Sequence, residues 1–162
     1  MVDITRRSTS EEIADPDSVS RERVLKRLAD WHDRVYELYD GIERELESTR
    51  FKPKREQKYA PPEEFARRFD ITETEQPRID ALHIVRQDDT DAAILYPRGL
   101  WIIGANGRVD LRITPPVGTT ETYMLVDVSE PLTRPAKWLR MPIGSPFDRE
   151  PFDSRWLLSK LR

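Results

Sequence analysis

The sequence predicts an α+β fold, an antiparallel β-meander of five or six strands with a long N-terminal amphipathic helix and a C-terminal helix. Three observations support this prediction. Apolar residues follow a helical period early in the chain, and a strand-like period after residue 78. The connections between the strand candidates are too short for the crossovers that parallel strands need, which favours antiparallel neighbours.

Composition limits the classes of function. The 162 residues carry a net charge of -3, and neither the part before residue 78 nor the part after it is basic, which argues against a dedicated nucleic-acid binder. The absence of cysteine excludes disulfides, thiolate metal sites and a cysteine nucleophile. Because no apolar stretch is typical of a secretion signal or a membrane span, we expect a cytoplasmic protein, and we predict no cofactor.

The chain divides into three regions by composition. Residues 1–19 are polar and are expected to form a flexible tail. Residues 20–78 are predicted to be a helical region with a basic linker, and the polar stretch at its end closes with Pro77. Residues 79–162 are predicted to form a β-rich domain that a helix completes.

The first helix carries an apolar seam with alternating steps of four and three residues. A helix is expected to begin after Ser20, which can cap it. The seam consists of Val24, Leu28, Trp31, Val35, Leu38 and Ile42. It either packs on the protein's own sheet or binds a second chain, including another copy of this one. The function we prefer from the sequence uses the seam and the sheet: a small non-enzymatic accessory protein that binds a larger protein partner.

Five basic residues follow the helix within nine positions: Arg50, Lys52, Lys54, Arg55 and Lys58. We interpret this segment as a solvated linker, because runs of charge alone are weak evidence for binding. Weak nucleic-acid binding through these side chains is the alternative. A short helix is predicted over residues 63–69, with Phe65 and Phe69 directed to the core.

Six segments are strand candidates: 79–85, 92–96, 100–103, 108–113, 122–128 and 138–141. The dipeptide Asn106-Gly107 predicts a tight hairpin turn between the third and fourth segments, because both residues tolerate positive φ. A closing helix is predicted over residues 148–161, with Phe152, Trp156 and Leu157 or Leu161 on its inner face.

Few residues are candidates for chemistry. His32 and His83 are far apart in the sequence, lack the spacing of a metal site or a triad, and are interpreted as structural. Asp88, Asp89 and Asp91 are interpreted as an acidic turn, because the ligand spacing of an EF-hand is absent.

Asp110 and Asp127, on two neighbouring predicted strands, are the catalytic candidates. Two such acids can bind a divalent cation for phosphodiester hydrolysis, so a metal-dependent nuclease-like domain is the alternative function. The layout resembles the Asp…(Asp/Glu)-x-Lys core of restriction-endonuclease-like enzymes, but Ser129 stands where that family has its lysine, so the sequence does not assign the chain to that family. The structural interpretation pairs Asp110 with Arg108 or Arg112 and treats Asp127 as a strand-end residue.

Overall fold

The computed structural model describes residues 20–57, 67–100, 106–145 and 147–162. Helix α1 spans Arg21–Leu46, and helix α2 spans Ser154–Leu161. The strands are β1 (Lys52–Glu56), β2 (Ala81–Val85), β3 (Asp91–Gly99), β4 (Arg108–Ile113), β5 (Glu121–Asp127), β6 (Trp138–Pro142) and β7 (Glu150–Pro151). They form one antiparallel sheet in sequence order. The predicted α+β meander with a long first helix and a C-terminal helix is therefore confirmed, with seven strands instead of five or six.

The apolar seam of α1 lies in the core of the same chain. Ser20 caps the helix by accepting a hydrogen bond from the Arg23 N–H at 3.2 Å. All six seam residues are at most 8% exposed, and all belong to the core cluster that includes the sheet. The seam thus packs on the protein's own sheet, which is the first of the two interpretations above. In this fold its side chains are not accessible to a second protein, so their assignment as partner-binding residues is corrected.

The register of the sheet gives it an inner and an outer face. One row of opposed residues on the inner face runs Leu82, Leu95, Leu111 and Tyr123, and Tyr123 makes an edge contact with Trp156 of α2 at 5.0 Å. One row on the outer face runs Lys54, His83, Ile94, Arg112 and Thr122. Both α1 and α2 pack on the inner face, so neither covers the outer face.

The segment predicted as a basic linker is instead the edge strand β1, paired with β2. Its five residues are all exposed, so no alternation of apolar and polar residues marks it as a strand in the sequence. Pro53 in β1 and Pro151 in β7 lack an N–H, and both edge strands carry charged residues. Such residues discourage further strands from pairing with a sheet edge.

The predicted hairpin around Asn106-Gly107 is wrong. Strand β4 pairs with β3 on one side and β5 on the other, and Leu100 lies outside any strand, while residues 101–103 lie outside the described ranges. Asn106 and Gly107 continue the pairing with β5, through an N–H···O bond of 2.8 Å to the Asp127 carbonyl and one of 3.1 Å from the Asp127 N–H.

Gly107 is required for a different reason from a tight turn. Its φ is 151°, and a Cβ added at this position would lie 2.1 Å from the Trp31 ring. The indole of the α1 seam therefore rests directly on the backbone at the start of β4. Only glycine permits both this approach and this conformation.

The remaining expectations have mixed outcomes. The closing helix begins at Ser154 because Glu150–Pro151 pairs with β6 and Asp153 caps the helix through the Trp156 N–H at 2.8 Å. Residues 1–19 and most of the helix predicted over 63–69 lie outside the described residues, although Phe69 packs against the core. The chain on either side of residue 78 shares one sheet and one core. No helix within the described ranges is both long and apolar enough to cross a membrane.

Candidate functional site

Asp127 lies at the end of β5 on the inner face and is completely buried. Its carboxylate accepts hydrogen bonds from Arg34 Nη1 at 2.7 Å, from the Ser129 N–H at 2.9 Å and from Ser129 Oγ at 2.6 Å. Asp30, Arg34, Asp127 and Ser129 together are named the buried cluster below.

Arg34 of α1 is the centre of the buried cluster and is 1% exposed. A guanidinium has five N–H donors, and each has an acceptor here. Nε donates to Asp30, Nη1 to Asp127 and Ser129, and Nη2 to the carbonyls of Glu130 and Thr133. Burial acts to lower the pKa of Arg34, but the hydrogen bonds and charges of Asp30 and Asp127 outweigh it and raise that pKa above its usual value. The buried cluster thus joins α1 to the β5–β6 connection with no donor left for a ligand.

Asp110 lies on the outer face, in the middle of β4, and its surroundings differ. Oδ2 accepts a hydrogen bond from Arg98 Nε at 2.7 Å, and Oδ1 accepts one from Arg108 Nε at 2.7 Å. The Asp110 side chain is 11% exposed, while those of Arg98 and Arg108 are 57% and 32% exposed. These three residues are named the Asp110 cluster. Arg112 lies two residues further along the same face and is exposed.

The two predicted catalytic acids are not brought together. Asp110 is opposite Met124 in the register, whereas Asp127 lies three positions further along β5 and therefore on the other face. A single cation cannot be shared across the sheet, and arginines already hold both carboxylates. Within the described ranges, no group of three or more histidine, aspartate or glutamate side chains could hold a metal ion. The nuclease-like site predicted from Asp110 and Asp127 is therefore corrected, and the predicted pair of Asp110 with Arg108 is confirmed.

The basic segment after α1 is divided between the two faces. Arg55 points inward, donates to Asp40 at 2.6 Å and Glu43 at 2.8 Å, and stacks over the Tyr36 ring at 5.0 Å. Its hydrogen bond to Glu43 helps to raise the pKa of Arg55. Lys52 and Lys54 are exposed on the outer face, Arg50 is exposed beside Phe51, and Lys58 lies outside the described residues.

Both histidines lie beside carboxylates. His32 Nδ1 is 3.1 Å from Asp33, and the His32 ring packs on Tyr36. His83 is on the outer face, with Nδ1 3.0 Å from Asp91 and Nε2 3.3 Å from Glu56, so it connects strands β1, β2 and β3. These contacts support the structural interpretation of both residues.

Charge distinguishes the outer face from the rest of the molecule. Its basic residues on the paired strands are Lys52, Lys54, Arg98, Arg108 and Arg112, and its acidic residues are Glu56, Asp91 and Asp110. The whole chain, in contrast, carries a charge of -3. The outer face is therefore a basic surface on an acidic protein.

A cleft of about 520 Å³ lies between α1 and the start of α2. Its lining consists of Gly41, Arg44, Glu45, Asp153, Ser154 and Arg155. Two arginines are balanced by two carboxylates there, so the cleft has no charge preference for a ligand. The Asp110 cluster is the stronger candidate site because its arginines have donors to spare.

Comparisons of the chain with protein-family models, curated proteins and solved structures find no match. The chemistry of the residues is therefore the only guide to function. Of the buried cluster and the Asp110 cluster, only the second has arginine side chains that reach solvent.

Proposed function

We propose that the chain is a small non-enzymatic accessory protein that binds a larger protein partner on the outer face of its sheet. The observation that carries the proposal is a group of three arginines, exposed at positions 98 and 112 and half-buried at position 108, on a sheet face that α1 and α2 leave uncovered. The sequence suggested that both the first helix and the sheet bind the partner. Since the α1 seam is buried, the proposal assigns partner binding to the sheet alone.

The side chains beside these arginines favour a protein partner. Met124 on β5, beside the arginine-bearing β4, and Leu139 on β6, one strand further, are half-buried on the outer face, and Val128 beyond β5 is 38% exposed. Protein interfaces combine such apolar area with arginine and are depleted in lysine and acidic residues. An acidic surface on the partner would complement the basic outer face.

The described residues also give little support to catalysis. A nucleophilic mechanism needs a base within hydrogen-bond reach of a hydroxyl. The contacts of His32 and His83 in the described ranges are to carboxylates and tyrosine rings. Ser129 has Asp127 and Arg34 as its partners and is buried.

The proposal is tested by site-specific photo-crosslinking in the cells that produce the protein. A crosslinker replaces Thr122, which is opposite Arg112 on the outer face, or Glu37, which is exposed on α1. We expect one protein to be captured saturably from position 122 and not from position 37. The charge reversal Arg112→Glu should abolish this capture, whereas the matched reversal of an exposed helix cation, Lys26→Glu, should not.

Three results would contradict the proposal. One is capture from position 37 at the same yield as from position 122. Another is capture from position 122 that Arg112→Glu leaves unchanged while circular dichroism shows a folded protein. The third is a captured species that nuclease digestion removes, because it would identify a nucleic acid in place of a protein.

A further inference from the structure

We infer that Arg98 and Arg108, positioned by Asp110, bind a phosphoryl group, carried by a phosphorylated side chain of the protein partner. The inference rests on the proposed function for the molecule that carries the group. The recognition chemistry itself is argued from the Asp110 cluster.

The first step of the argument is the number of unused donors. Each arginine gives Asp110 only its Nε–H, so both terminal nitrogens of each guanidinium keep their hydrogens. No further hydrogen bond or ion pair engages Arg98 or Arg108 within the described ranges. Two sets of donors are therefore available, and both belong to partly exposed side chains.

The second step is orientation. Asp110 is largely buried in the sheet surface, and its two oxygens each fix one guanidinium from below at 2.7 Å. Holding these long side chains in place reduces the conformational entropy that binding a ligand would otherwise cost. The Asp110 carboxylate thus holds two guanidinium groups in a fixed orientation for a ligand, in addition to neutralising one of their charges.

The third step is the excess of arginine. One guanidinium is enough to neutralise Asp110, and an ion pair as exposed as that of Arg98 contributes little to stability. The second arginine leaves the cluster with a net positive charge, and Arg112 adds another cation nearby. The buried cluster has no such excess of arginine, because every N–H donor of Arg34 is bonded to an acceptor within the protein.

The fourth step is the shape of the ligand. A carboxylate presents two coplanar oxygens, which a single guanidinium can satisfy. A phosphomonoester presents three terminal oxygens in a tetrahedral arrangement and up to two negative charges, so it can accept from two guanidinium groups at once. The separate arginines on β3 and β4 match the phosphomonoester better than the carboxylate.

The test follows the arginine Nε–Hε resonances by NMR while phenyl phosphate or benzoate is added to the full chain. We expect Arg98 and Arg108 to shift saturably with phenyl phosphate, and benzoate to bind about tenfold more weakly. Either Arg98→Gln or Arg108→Gln should weaken phenyl phosphate binding about tenfold. The matched control Arg155→Gln removes the same charge from an exposed arginine of α2, away from the outer face, and it should weaken binding less than about threefold.

The variant Asp110→Asn separates orientation from simple charge. It raises the positive charge of the cluster, so a site that depends on charge alone would bind phenyl phosphate more tightly. A site that depends on orientation would bind it more weakly, which is our expectation. Tighter binding to Asp110→Asn, or equal binding of phenyl phosphate and benzoate, would overturn the inference. Binding of dimethyl phosphate as tight as that of phenyl phosphate would also overturn the inference. Dimethyl phosphate is a monoanionic phosphodiester like the backbone of a nucleic acid, so such a site would not be specific for a phosphorylated side chain.

The outcomes also separate this inference from the proposed function. If phosphatase treatment of the partner leaves the capture from position 122 unchanged, the phosphoryl inference fails and the protein-binding function stands. If phenyl phosphate binds as expected but no protein is captured from position 122, the site stands and the proposed function fails.

Discussion

The two arginine–carboxylate clusters use the same chemical groups for different ends. In the buried cluster one arginine, itself 1% exposed, serves two carboxylates and several other acceptors, and only the Asp30 side chain reaches solvent. In the Asp110 cluster two arginines serve one carboxylate and keep most of their donors on the surface. The ratio of hydrogen-bond donors to internal acceptors, together with the exposure of the arginines, therefore distinguishes a structural cluster from a candidate binding site. The identities of the residues do not distinguish them, because both clusters consist of arginine and aspartate.

The buried cluster also determines how α1 sits on the sheet. Arg34 connects the middle of the helix to the β5–β6 connection, and Asn106 adds a hydrogen bond from its amide to the Ser129 carbonyl. A buried ion pair is often no more stabilising than apolar residues of the same size, but removing one partner leaves a costly unpaired charge. Variants that remove one partner should therefore give the largest effects.

The substitution Arg34→Met should give the largest loss of stability. It leaves Asp127 buried without its cation, which we expect to lower the free energy of unfolding by about 3–5 kcal/mol, measured by urea denaturation. The matched control Arg108→Met leaves Asp110 paired with Arg98 and should cost less than about 1 kcal/mol. Similar losses in the two variants would contradict the distinction between the clusters.

The substitution Gly107→Ala tests the junction beside Asp127. The new Cβ would overlap the Trp31 ring and require a positive φ from alanine, so we expect a loss of about 2–4 kcal/mol in thermal or urea unfolding. Gly41→Ala in α1 is the control, because its Cβ would meet only Ser154 Oγ, at 3.6 Å. Removing a helix-interior glycine should stabilise that variant by up to about 1 kcal/mol. Tolerance of alanine at position 107 would show that Trp31 does not rest there.

The substitution Arg98→Gln should have little effect on stability. Arg108 remains on Asp110, so the free energy of unfolding should change by less than about 1 kcal/mol. This variant should nevertheless lose partner capture from position 122. A loss of stability comparable to that of Arg34→Met would show that the Asp110 cluster is structural.

The smallest expected effect concerns a carboxylate outside both clusters, Glu121 on β5. Hydrogen bonds from Tyr123 and from Lys160 of α2 lower the pKa of Glu121. An acid whose pKa is lowered by folding stabilises the protein above the unfolded pKa of about 4.3, and this contribution is lost as the pH falls through the folded pKa. Unfolding measured between pH 6 and pH 3 should therefore be less pH-dependent in Glu121→Gln than in the unchanged protein. An unchanged slope would show that the ion pair contributes nothing.

The sequence was sufficient for elements that carry apolar residues at a helical spacing or in short strand-length runs. The α1 seam and strands β2 to β6 contain such residues, and each lies near its predicted position. Strand β1 has no period because all its residues are exposed at an edge. Strand β1 is defined by its pairing with β2, a contact between distant parts of the sequence that local composition does not predict.

The wrong hairpin explains why the sequence does not reveal Arg98 as a member of the Asp110 cluster. Arg108 and Asp110 are two residues apart on one strand, so alternation alone predicts that they share a face. Arg98 reaches Asp110 only because β3 is the neighbour of β4, whereas the predicted hairpin put residues 100–103 in that place. Arg34 is charged, which is typical of the solvated side of a helix, although its position three residues after Trp31 and beside Val35 is a signal of burial.

The most direct test compares Asp127→Asn with Asp110→Asn, two isosteric changes on adjacent strands. For each variant, the free energy of unfolding and the affinity for phenyl phosphate are measured on the same preparation. We predict that Asp127→Asn loses about 2–4 kcal/mol of stability because Arg34 loses its buried counter-charge. We predict that Asp110→Asn stays within about 1 kcal/mol of the unchanged protein and binds phenyl phosphate more weakly. Equal destabilisation by the two changes, with phenyl phosphate affinity unaffected by either, would contradict the assignment of one cluster to structure and the other to binding.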